Sequence, residues 1–257
     1  MKKSSLQDFL DKKVEEYNHP SFIKSDPISI PRSFSKQQDI EISGLFAAIF
    51  SWGNRTTIIN KSKELMQLMD NAPHDFILGN SDKDLKKLTG FKHRTFNTTD
   101  LLIFIEFLRF HYLQHHTLET AFAQWIDPSD ETIEHGLTGF NNYFFSLHDS
   151  PGRTGKHIAS PLKNSSCKRL NMYLRWMVRK DDKGVDFGIW KTISPAQLIC
   201  PIDLHVARVA KRFGLLLQTQ INWKSALELT SELCKMDRED PVKYDFALFN
   251  LGIMENY

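Results

Sequence analysis

The sequence predicts an all-α fold. Apolar residues recur at three- and four-residue spacing through most of the chain, as they do on the buried face of a helix. Alternating apolar and polar runs, which are typical of strands, are scarce, and 12 glycines and 10 prolines in 257 residues are too few for a strand-and-turn architecture. Helices should therefore dominate.

The first half of the chain is expected to form a series of helices separated by proline-containing connections. Three prolines make residues 18–36 irregular, and Asp127 and Pro128 stop the last helix of this half. The expected elements, in order, are a helix at 1–17, helices at 39–50 and 58–69, short helical turns at 75–78 and 82–88, and one or two long helices at 99–126.

The second half begins with the least regular part of the sequence. Residues 128–166 contain several glycines and prolines, and so long an irregular stretch in a compact domain often has a function. A helix follows at 168–179, and Asp203 is a suitable N-cap for a helix that ends at Gly214. Further helices are expected at 223–236 and 242–251. The polar face of the helix at 168–179 holds Lys168, Asn171, Arg175 and Arg179.

Composition excludes several classes of protein. Hydrophobic residues at 41% and charged residues at 25% are ordinary for a folded domain and exclude collagen, disordered tails and small disulfide scaffolds. Three scattered cysteines without a CxxC pair fit a reducing cytosol and give no signature of structural zinc or an iron–sulfur cluster. We find no signal peptide and no apolar run of about 20 residues. We therefore expect a cytoplasmic protein that does not contact a membrane.

Positive charge is concentrated in one segment. The net charge of the whole chain is +2, but residues 151–180 contain eight lysines and arginines and no acid, which gives this segment a charge of +8. Such a block is what a site facing phosphates requires. A solvated helix face is an equally good interpretation of a charge run, so charge alone leaves both open.

A motif in the second half carries a family resemblance. Residues 201–215 read Pro-Ile-Asp-Leu-His-Val-Ala-Arg-Val-Ala-Lys-Arg-Phe-Gly-Leu. They resemble the conserved aspartate helix of the helix-hairpin-helix base-excision DNA glycosylases, the superfamily of endonuclease III. Residues 166–170, Ser-Cys-Lys-Arg-Leu, fall where that family has its hairpin and catalytic lysine. The matching positions of the aspartate helix are Asp203, His205, Val206, Arg208, Val209, Arg212, Gly214 and Leu215.

Other segments resemble the same family in the same order. Residues 42–55, ending Phe-Ser-Trp-Gly-Asn-Arg, are similar to the helix whose end lies at the DNA. Residues 88–94 and 246–252 are similar to a Gly-Phe segment and to the C-terminal helix of the family. The separation of 35 residues between Lys168 and Asp203 is closer to that in archaeal 8-oxoguanine DNA glycosylases than in endonuclease III. The whole chain looks most like a bacterial family related to these enzymes.

The resemblance implies a fold and a domain organisation. It implies a two-lobed helix-hairpin-helix glycosylase-like fold in residues 1–257, with one lobe at about 40–150 plus the C-terminal helices and a hairpin and catalytic lobe at about 160–215. The sequence departs from the family at residues 161–166, which lack the glycines of the hairpin. Anchoring of DNA by the hairpin is therefore in doubt. The four-cysteine loop is also missing, so we expect no iron–sulfur cluster and no other cofactor.

The resemblance also implies a catalytic pair, Lys168 and Asp203. A carboxylate near C1′ can stabilise a cationic sugar or deprotonate a nucleophile, and a lysine amine can attack the same carbon and form a Schiff base. Positive neighbours and a position at a helix start favour the unprotonated amine. Taken singly, Asp203 could be only an N-cap and Lys168 only a surface lysine. We expect the amine and the carboxylate to lie close together.

The remaining expected contacts are to nucleic acid. Trp52, Asn54 and Arg55 could enter the duplex beside a flipped base, although Trp52 could equally be a core residue. His205 could orient a carboxylate or bind phosphate, or be simply solvated. The full set of expected nucleic-acid contacts is Trp52, Asn54, Arg55, Lys163, Asn164, Ser165, Ser166, Arg169, Arg175 and His205.

Two further groups have plainer interpretations. His111, His115 and His116 have the spacing of metal ligands, but no third ligand is near and an exposed helix face is the better interpretation, so no metal is expected. Cys167 could be activated by its basic neighbours, although an inert buried thiol is the default.

Function is therefore expected to be base excision. The hypothesis is a monomeric DNA glycosylase that acts on a duplex with a damaged or modified base and cleaves the abasic strand through Lys168. One alternative is an inactive nucleic-acid-binding module with the same fold, for which RNA is not excluded. Another is a protein-interaction scaffold, which predicts that the basic block is scattered over several faces.

Overall fold

The computed structural model describes residues 3–147, 152–255 and 257, which are mostly helical. Met1 and Lys2 of the first expected helix, and residues 148–151 with Pro151 at the start of the basic block, lie outside the described residues. The predicted all-α class is confirmed. The helices are α1 (Lys3–Tyr17), α2 (Gln37–Phe50), α3 (Arg55–Leu68), α4 (Pro73–Gly79), α5 (Asp82–Lys87), α6 (Thr98–Tyr112), α7 (Thr120–Ala123), α8 (Glu134–Phe144), α9 (Lys168–Val178), α10 (Leu204–Arg212), α11 (Trp223–Cys234) and α12 (Tyr244–Met254).

Short elements connect the helices. A two-stranded antiparallel hairpin, which the sequence did not predict, consists of β1 (Lys92–His93) and β2 (Phe96–Asn97). Lys92 pairs with Asn97 and His93 with Phe96. Short 3-10 segments, most of which begin at a proline because its fixed φ suits the first helical position, lie at Pro20–Ser25, Pro27–Ser29, Pro31–Ser33, Gly152–Lys156, Pro161–Lys163, Pro195–Gln197 and Pro241–Lys243.

Helix α8 lies within the stretch expected to be irregular. The glycines that suggested a loop are instead positions of close packing. A Cβ atom on Gly136 would lie 2.9 Å from Ile133 Cδ1, and one on Gly139 would lie 2.1 Å from Trp125 Cγ. Both glycines are therefore tolerated inside the helix because the neighbouring side chain occupies the space of a Cβ atom.

The chain divides into two compact units. The central unit comprises Ile23–Trp125 and Gly139–Ile158, and the terminal unit comprises Met1–Phe22, Ile126–Thr138 and Ala159–Tyr257. The C-terminal helices were expected to belong with residues 40–150. They belong instead to the terminal unit, where α12 packs against α10 and α1. A Cβ atom on Gly252 would lie 3.0 Å from His205 Cβ, so this glycine allows the close approach of α12 to α10.

The core of the central unit is largely aromatic. Phe104 and Phe144 have ring centroids 4.7 Å apart in an edge-to-face arrangement, and Phe122 and Phe140 are stacked at 4.0 Å. Such pairs add about 0.5–1.5 kcal/mol each to the free energy gained by burying their area. Packing of α2, α6, α7 and α8 thus rests on phenylalanine contacts.

The core of the terminal unit combines apolar and charged groups. Tyr173 of α9 packs edge-to-face on Trp190 with centroids 5.4 Å apart, and both side chains are fully buried. The Arg175 guanidinium lies over the Phe246 ring at 4.3 Å, an arrangement that attracts the cation to the ring face. Among the described residues, no helix is both long and apolar enough to cross a membrane.

Candidate active site

Helix α9 begins at Lys168, as the sequence predicts, directly after a tightly bent segment. Asn164 and Cys167 have left-handed backbone angles, with φ of 54° and 49°. The Cys167 amide donates a hydrogen bond to Ser165 Oγ at 3.2 Å, and Asn171 Nδ2 donates one to the Ser166 carbonyl at 3.0 Å. Two non-glycine residues in a region that favours glycine strain the chain just before Lys168, and these hydrogen bonds hold it there.

Asp203 caps helix α10. Its Oδ1 accepts hydrogen bonds from the backbone N–H groups of His205 at 2.9 Å and Val206 at 3.0 Å. Those bonds satisfy two N–H groups that have no partner within the helix. The second carboxylate oxygen, Oδ2, is left for another contact. An N-cap and a reactive carboxylate are therefore compatible in one side chain.

Lys168 and Asp203 meet within the terminal unit. Lys168 Nζ lies 3.9 Å from Asp203 Oδ2, and the two side chains are 23% and 25% exposed. The amine also lies 3.8 Å from Met172 Sδ, which is a weak acceptor. A distance of 3.9 Å is too long for a hydrogen bond. The Asp203 carboxylate therefore attracts the amine by its charge, and the contact with Met172 is too weak to hold it. The expected proximity is present, while the catalytic roles stay a prediction.

A buried arginine and its acids lie on the same face of α9 as Lys168. Arg175, two helical turns further on, forms an ion pair with Asp245 through Nη1, and its Nε lies 3.4 Å from Asp186 Oδ1. Burial raises the pKa of the Asp245 carboxyl to about 6, whereas the charges of Arg175 and Lys168 lower that pKa. The charge of Asp203 raises it further. Asp245 is therefore paired with Arg175, and the charges of Lys168 and Asp203 act only as further influences on its pKa.

The basic block is not one surface, which corrects the expectation for Arg175. Arg175 is only 4% exposed and neutralised by acids, so we remove it from the expected nucleic-acid contacts. Arg179 is likewise buried, with Asp181, Asp186 and Asp240 as partners. The polar face of α9 is therefore buried around these arginines, which fits neither a solvated helix face nor a surface for phosphate at these two positions. Arg153 and Lys156 belong to the central unit.

The other expected contacts of the terminal unit keep some exposure. Lys163, Asn164 and His205 are exposed, and Ser165, Ser166 and Arg169 are half-buried. Burial lowers the pKa of the Arg169 guanidinium. Exposed groups beside the start of α9 could reach a phosphate, but Ser165 and Ser166 already have hydrogen bonds within the bent segment.

In the central unit, Trp52 is a surface residue and not a core residue. It is 36% exposed, and the Arg94 guanidinium lies over its ring at 4.2 Å. Gly53 leaves the room for this contact, since a Cβ there would lie 2.5 Å from Arg94 Nη1. Asn54 caps α3 by accepting from the Thr57 amide at 3.1 Å, and Arg55 is half-buried at the start of α3.

Cys167 and His111 are both buried. Burial raises the pKa of the Cys167 thiol to about 12, which favours an inert, protonated thiol over an activated nucleophile. His111 was expected on an exposed face but is fully buried. Its Nδ1 lies 3.1 Å from the Tyr143 hydroxyl and its Nε2 lies 2.9 Å from the Thr117 carbonyl. Burial lowers the pKa of His111 to about 4.

Four residues near these groups were not predicted from the sequence: Arg94, Met172, Asp186 and Asp245. Arg94 and Trp52 both lie in segments that resemble the family, and this shared resemblance was a signal that could have placed them close together. Met172 follows Lys168 by one helical turn, which places the two side chains on one face. Nothing in the sequence links Asp245 to Arg175, 70 residues earlier.

Comparison with known proteins gives one match. A family model described as "Protein of unknown function (DUF2400)" matches residues 26–254. No curated protein matches the chain, and no solved structure matches it.

Proposed function

The chain belongs to this family of unknown function, DUF2400, and we propose that it is a DNA glycosylase of the helix-hairpin-helix type. It removes a damaged or modified base from duplex DNA and cleaves the abasic strand through Lys168. The observation that carries the proposal is the 3.9 Å approach of Lys168 Nζ to Asp203 Oδ2 at a partly exposed position. These are the two residues that the family resemblance had named.

The chemistry starts at the anomeric carbon of the nucleotide. The lone pair of Lys168 Nζ forms a bond to C1′ while the bond from C1′ to the base breaks, and the base leaves with that electron pair and the proton that the amine releases. The sugar ring then opens: O4′ takes the C1′–O4′ electron pair and a proton from solvent, which leaves a cationic imine between C1′ and Nζ. Loss of a proton from C2′ expels the 3′ phosphate and nicks the strand.

Asp203 has two tasks that suit this chemistry. Its Oδ2 faces the amine and can stabilise positive charge on the sugar or accept the proton of the attacking group. Its Oδ1 is held by the start of α10, so the carboxylate has a defined orientation without a further partner. The weak contact of Lys168 with Met172 leaves the amine free to move toward C1′.

DNA is the partner that the exposed groups support. Lys163 and Asn164 precede the start of α9, His205 lies in the first turn of α10, and all three are exposed, so their polar groups are available for contacts to phosphate. In the central unit, Trp52 with Arg94 on its face is a platform on which a base can stack. Arg94 thereby joins Trp52, Asn54 and Arg55 among the proposed contacts.

Borohydride trapping tests the proposal. The protein is incubated with duplexes that contain an abasic site or one of a panel of damaged bases, and the imine is reduced to a stable adduct. Wild type should give an adduct that the Lys168→Gln variant does not give and that Asp203→Asn gives slowly. Lys180→Gln, an exposed lysine of the same basic block, is the matched control and should trap like wild type. Absence of adduct with every duplex, or an equal adduct with Lys168→Gln, rejects the proposal.

A protein-interaction scaffold is the second candidate, because one observation favours it. The basic block is divided between the two units, and two of its arginines are buried in ion pairs, as that hypothesis predicted. The dependence of DNA affinity on salt separates the candidates. A DNA-binding protein loses affinity steeply as salt rises, because phosphate contacts release counterions. Negligible DNA affinity at low salt would favour the scaffold.

A further inference from the structure

One buried side chain of α9 is bonded to the strained bend that precedes Lys168. Asn171, one helical turn after Lys168, is 1% exposed. Its Nδ2 donates a hydrogen bond to the Ser166 carbonyl at 3.0 Å, and its backbone N–H donates one to the Cys167 carbonyl at 2.9 Å. Asn171 therefore holds the peptide groups on both sides of the Cys167 Cα atom.

These two hydrogen bonds act on the backbone angles of Cys167. Its φ depends on the peptide plane that contains the Ser166 carbonyl, and its ψ on the plane that contains its own carbonyl. The observed φ of 49° and ψ of 27° lie in the left-handed region, which residues other than glycine adopt at a cost in free energy. The two hydrogen bonds of Asn171 offset that cost.

The orientation of the Asn171 amide follows from the Ser166 carbonyl. Turning the amide over would place Oδ1 against the carbonyl oxygen, and neither atom could donate a proton. In the observed orientation Oδ1 is buried and accepts no hydrogen bond from any residue that the structure describes. A buried acceptor without a partner destabilises a fold. An apolar side chain would avoid this penalty, so the bond to Ser166 explains the amide better than packing does.

The course of the bend decides which space is left for the Lys168 side chain. Lys168 follows Cys167 directly and is the first residue of α9. Side chains of a helix point toward its N-terminus, so that of the first residue extends past the end of the helix. A left-handed residue cannot continue a right-handed helix, and the chain therefore leaves the helical path at Cys167. With this bend in place, Lys168 Nζ is partly exposed and lies 3.9 Å from Asp203 Oδ2.

We propose that Asn171 is a positioning residue of the proposed active site: its amide holds Cys167 in the left-handed conformation and so places the Lys168 amine beside Asp203. The inference rests on the proposed function. Asn171 acts through the backbone of Cys167 and forms no contact with the substrate. Small displacements of a reacting group lower the rate by large factors, so loss of the amide should slow the chemical step.

The test removes the amide and then removes the need for it. Borohydride trapping on an abasic-site duplex is measured under single turnover, at protein concentrations that saturate the duplex, so that DNA affinity does not enter the rate. Asn171→Leu keeps the size of the side chain and loses the donor, and it should trap at least about tenfold more slowly than wild type. Adding Cys167→Gly to this variant should restore the rate to within about threefold of wild type, because glycine adopts left-handed angles without strain.

Asn141→Leu is the matched control. Asn141 is also a buried asparagine whose Nδ2 donates to a backbone carbonyl, that of Ile158 at 2.7 Å, but both residues lie in the central unit. Its replacement should lower stability in urea and leave the trapping rate unchanged. Should Asn171→Leu not fold, Asn171→Ala takes its place, since alanine favours the helix and adds no bulk.

The outcomes separate the two proposals. A wild-type rate for Asn171→Leu, or a slow rate that Cys167→Gly does not restore, would overturn the role of Asn171 and leave the glycosylase proposal standing. An equal loss of rate in Asn141→Leu would overturn it as well, because general destabilisation would then account for the effect. No adduct from wild type itself rejects the proposed function, and the inference about Asn171 with it.

Discussion

Two buried carboxylates, Glu41 in the central unit and Asp245 in the terminal unit, are stabilised in different ways. Glu41 accepts hydrogen bonds from the Tyr112 hydroxyl at 2.8 Å, the Thr117 hydroxyl at 2.5 Å and the Leu118 amide at 2.9 Å. Asp245 faces a guanidinium and other charged groups. The donors that hold Glu41 in these three bonds are neutral. Among the described residues, the buried arginines, Arg175 and Arg179, lie in the unit that holds Lys168 and Asp203.

The same contrast extends to the cores. The central unit is held by phenylalanine pairs, which need no compensating charge. The terminal unit buries Arg175 and Arg179 among aspartates, and each of these groups depends on its partner. A change that removes one charge should therefore be more damaging in the terminal unit than the loss of a hydrogen-bonding group in the central unit.

The largest expected effect is that of Arg175→Met. It leaves Asp245 and Asp186 buried without their cation and should lower the free energy of unfolding by about 3–5 kcal/mol. Glu41→Gln, which keeps an acceptor oxygen for neutral donors, should cost only about 1–3 kcal/mol. Urea unfolding at neutral pH measures both, with the exposed Arg109→Met as control. A cost for Arg175→Met no greater than that for Glu41→Gln would remove the contrast.

The response to pH should have opposite signs in the two units. The folded pKa of His111, about 4, lies below its ordinary value of 6.5, so the unfolded chain binds the proton more readily and stability falls as pH drops from about 6.5 to about 4. This change reaches about 3 kcal/mol at most. The folded pKa of Asp245, about 6, lies above its ordinary 3.8, so its contribution is present below about pH 4 and is lost as pH rises through 6.

Two variants isolate these titrations. His111→Asn should flatten the acid side of the stability profile of the protein, and Asp245→Asn should remove the decline between about pH 4 and about pH 6. Urea unfolding at several pH values gives both profiles. The contrast fails if the two variants change the profile in the same direction.

The smallest expected effect separates the two tasks of Asp203. Asp203→Ala removes the cap of α10 and should cost about 1 kcal/mol, whereas Asp203→Asn keeps a capping oxygen and should cost little. Thermal unfolding measures the difference. If trapping by Asp203→Asn is as slow as by Asp203→Ala while its stability is that of wild type, the carboxylate has a role beyond capping. Equal stability of all three proteins would show that the cap is unimportant.

Prediction from sequence succeeded where the relevant contacts are local. The start of α9 at Lys168 and the capping of α10 by Asp203 follow from residues within a few positions of each helix end. It failed for α8, because glycines are typical of loops, whereas here the distant Trp125 occupies the Cβ position of Gly139. The prediction that His111 is exposed failed for a similar reason: the burial of its side chain depends on Tyr143, 32 residues away.

The sequence by itself determined the helical class and most helix positions, since periodicity and capping act over one or two turns, and the family resemblance indicated the two residues of the candidate site. Tertiary structure alone decided that Arg175 is neutralised by Asp245. It also decided that one oxygen of Asp203 remains free for the amine. These depend on which distant groups share a buried volume, because the charge of a side chain is available to a ligand only if no partner inside the protein has already neutralised it.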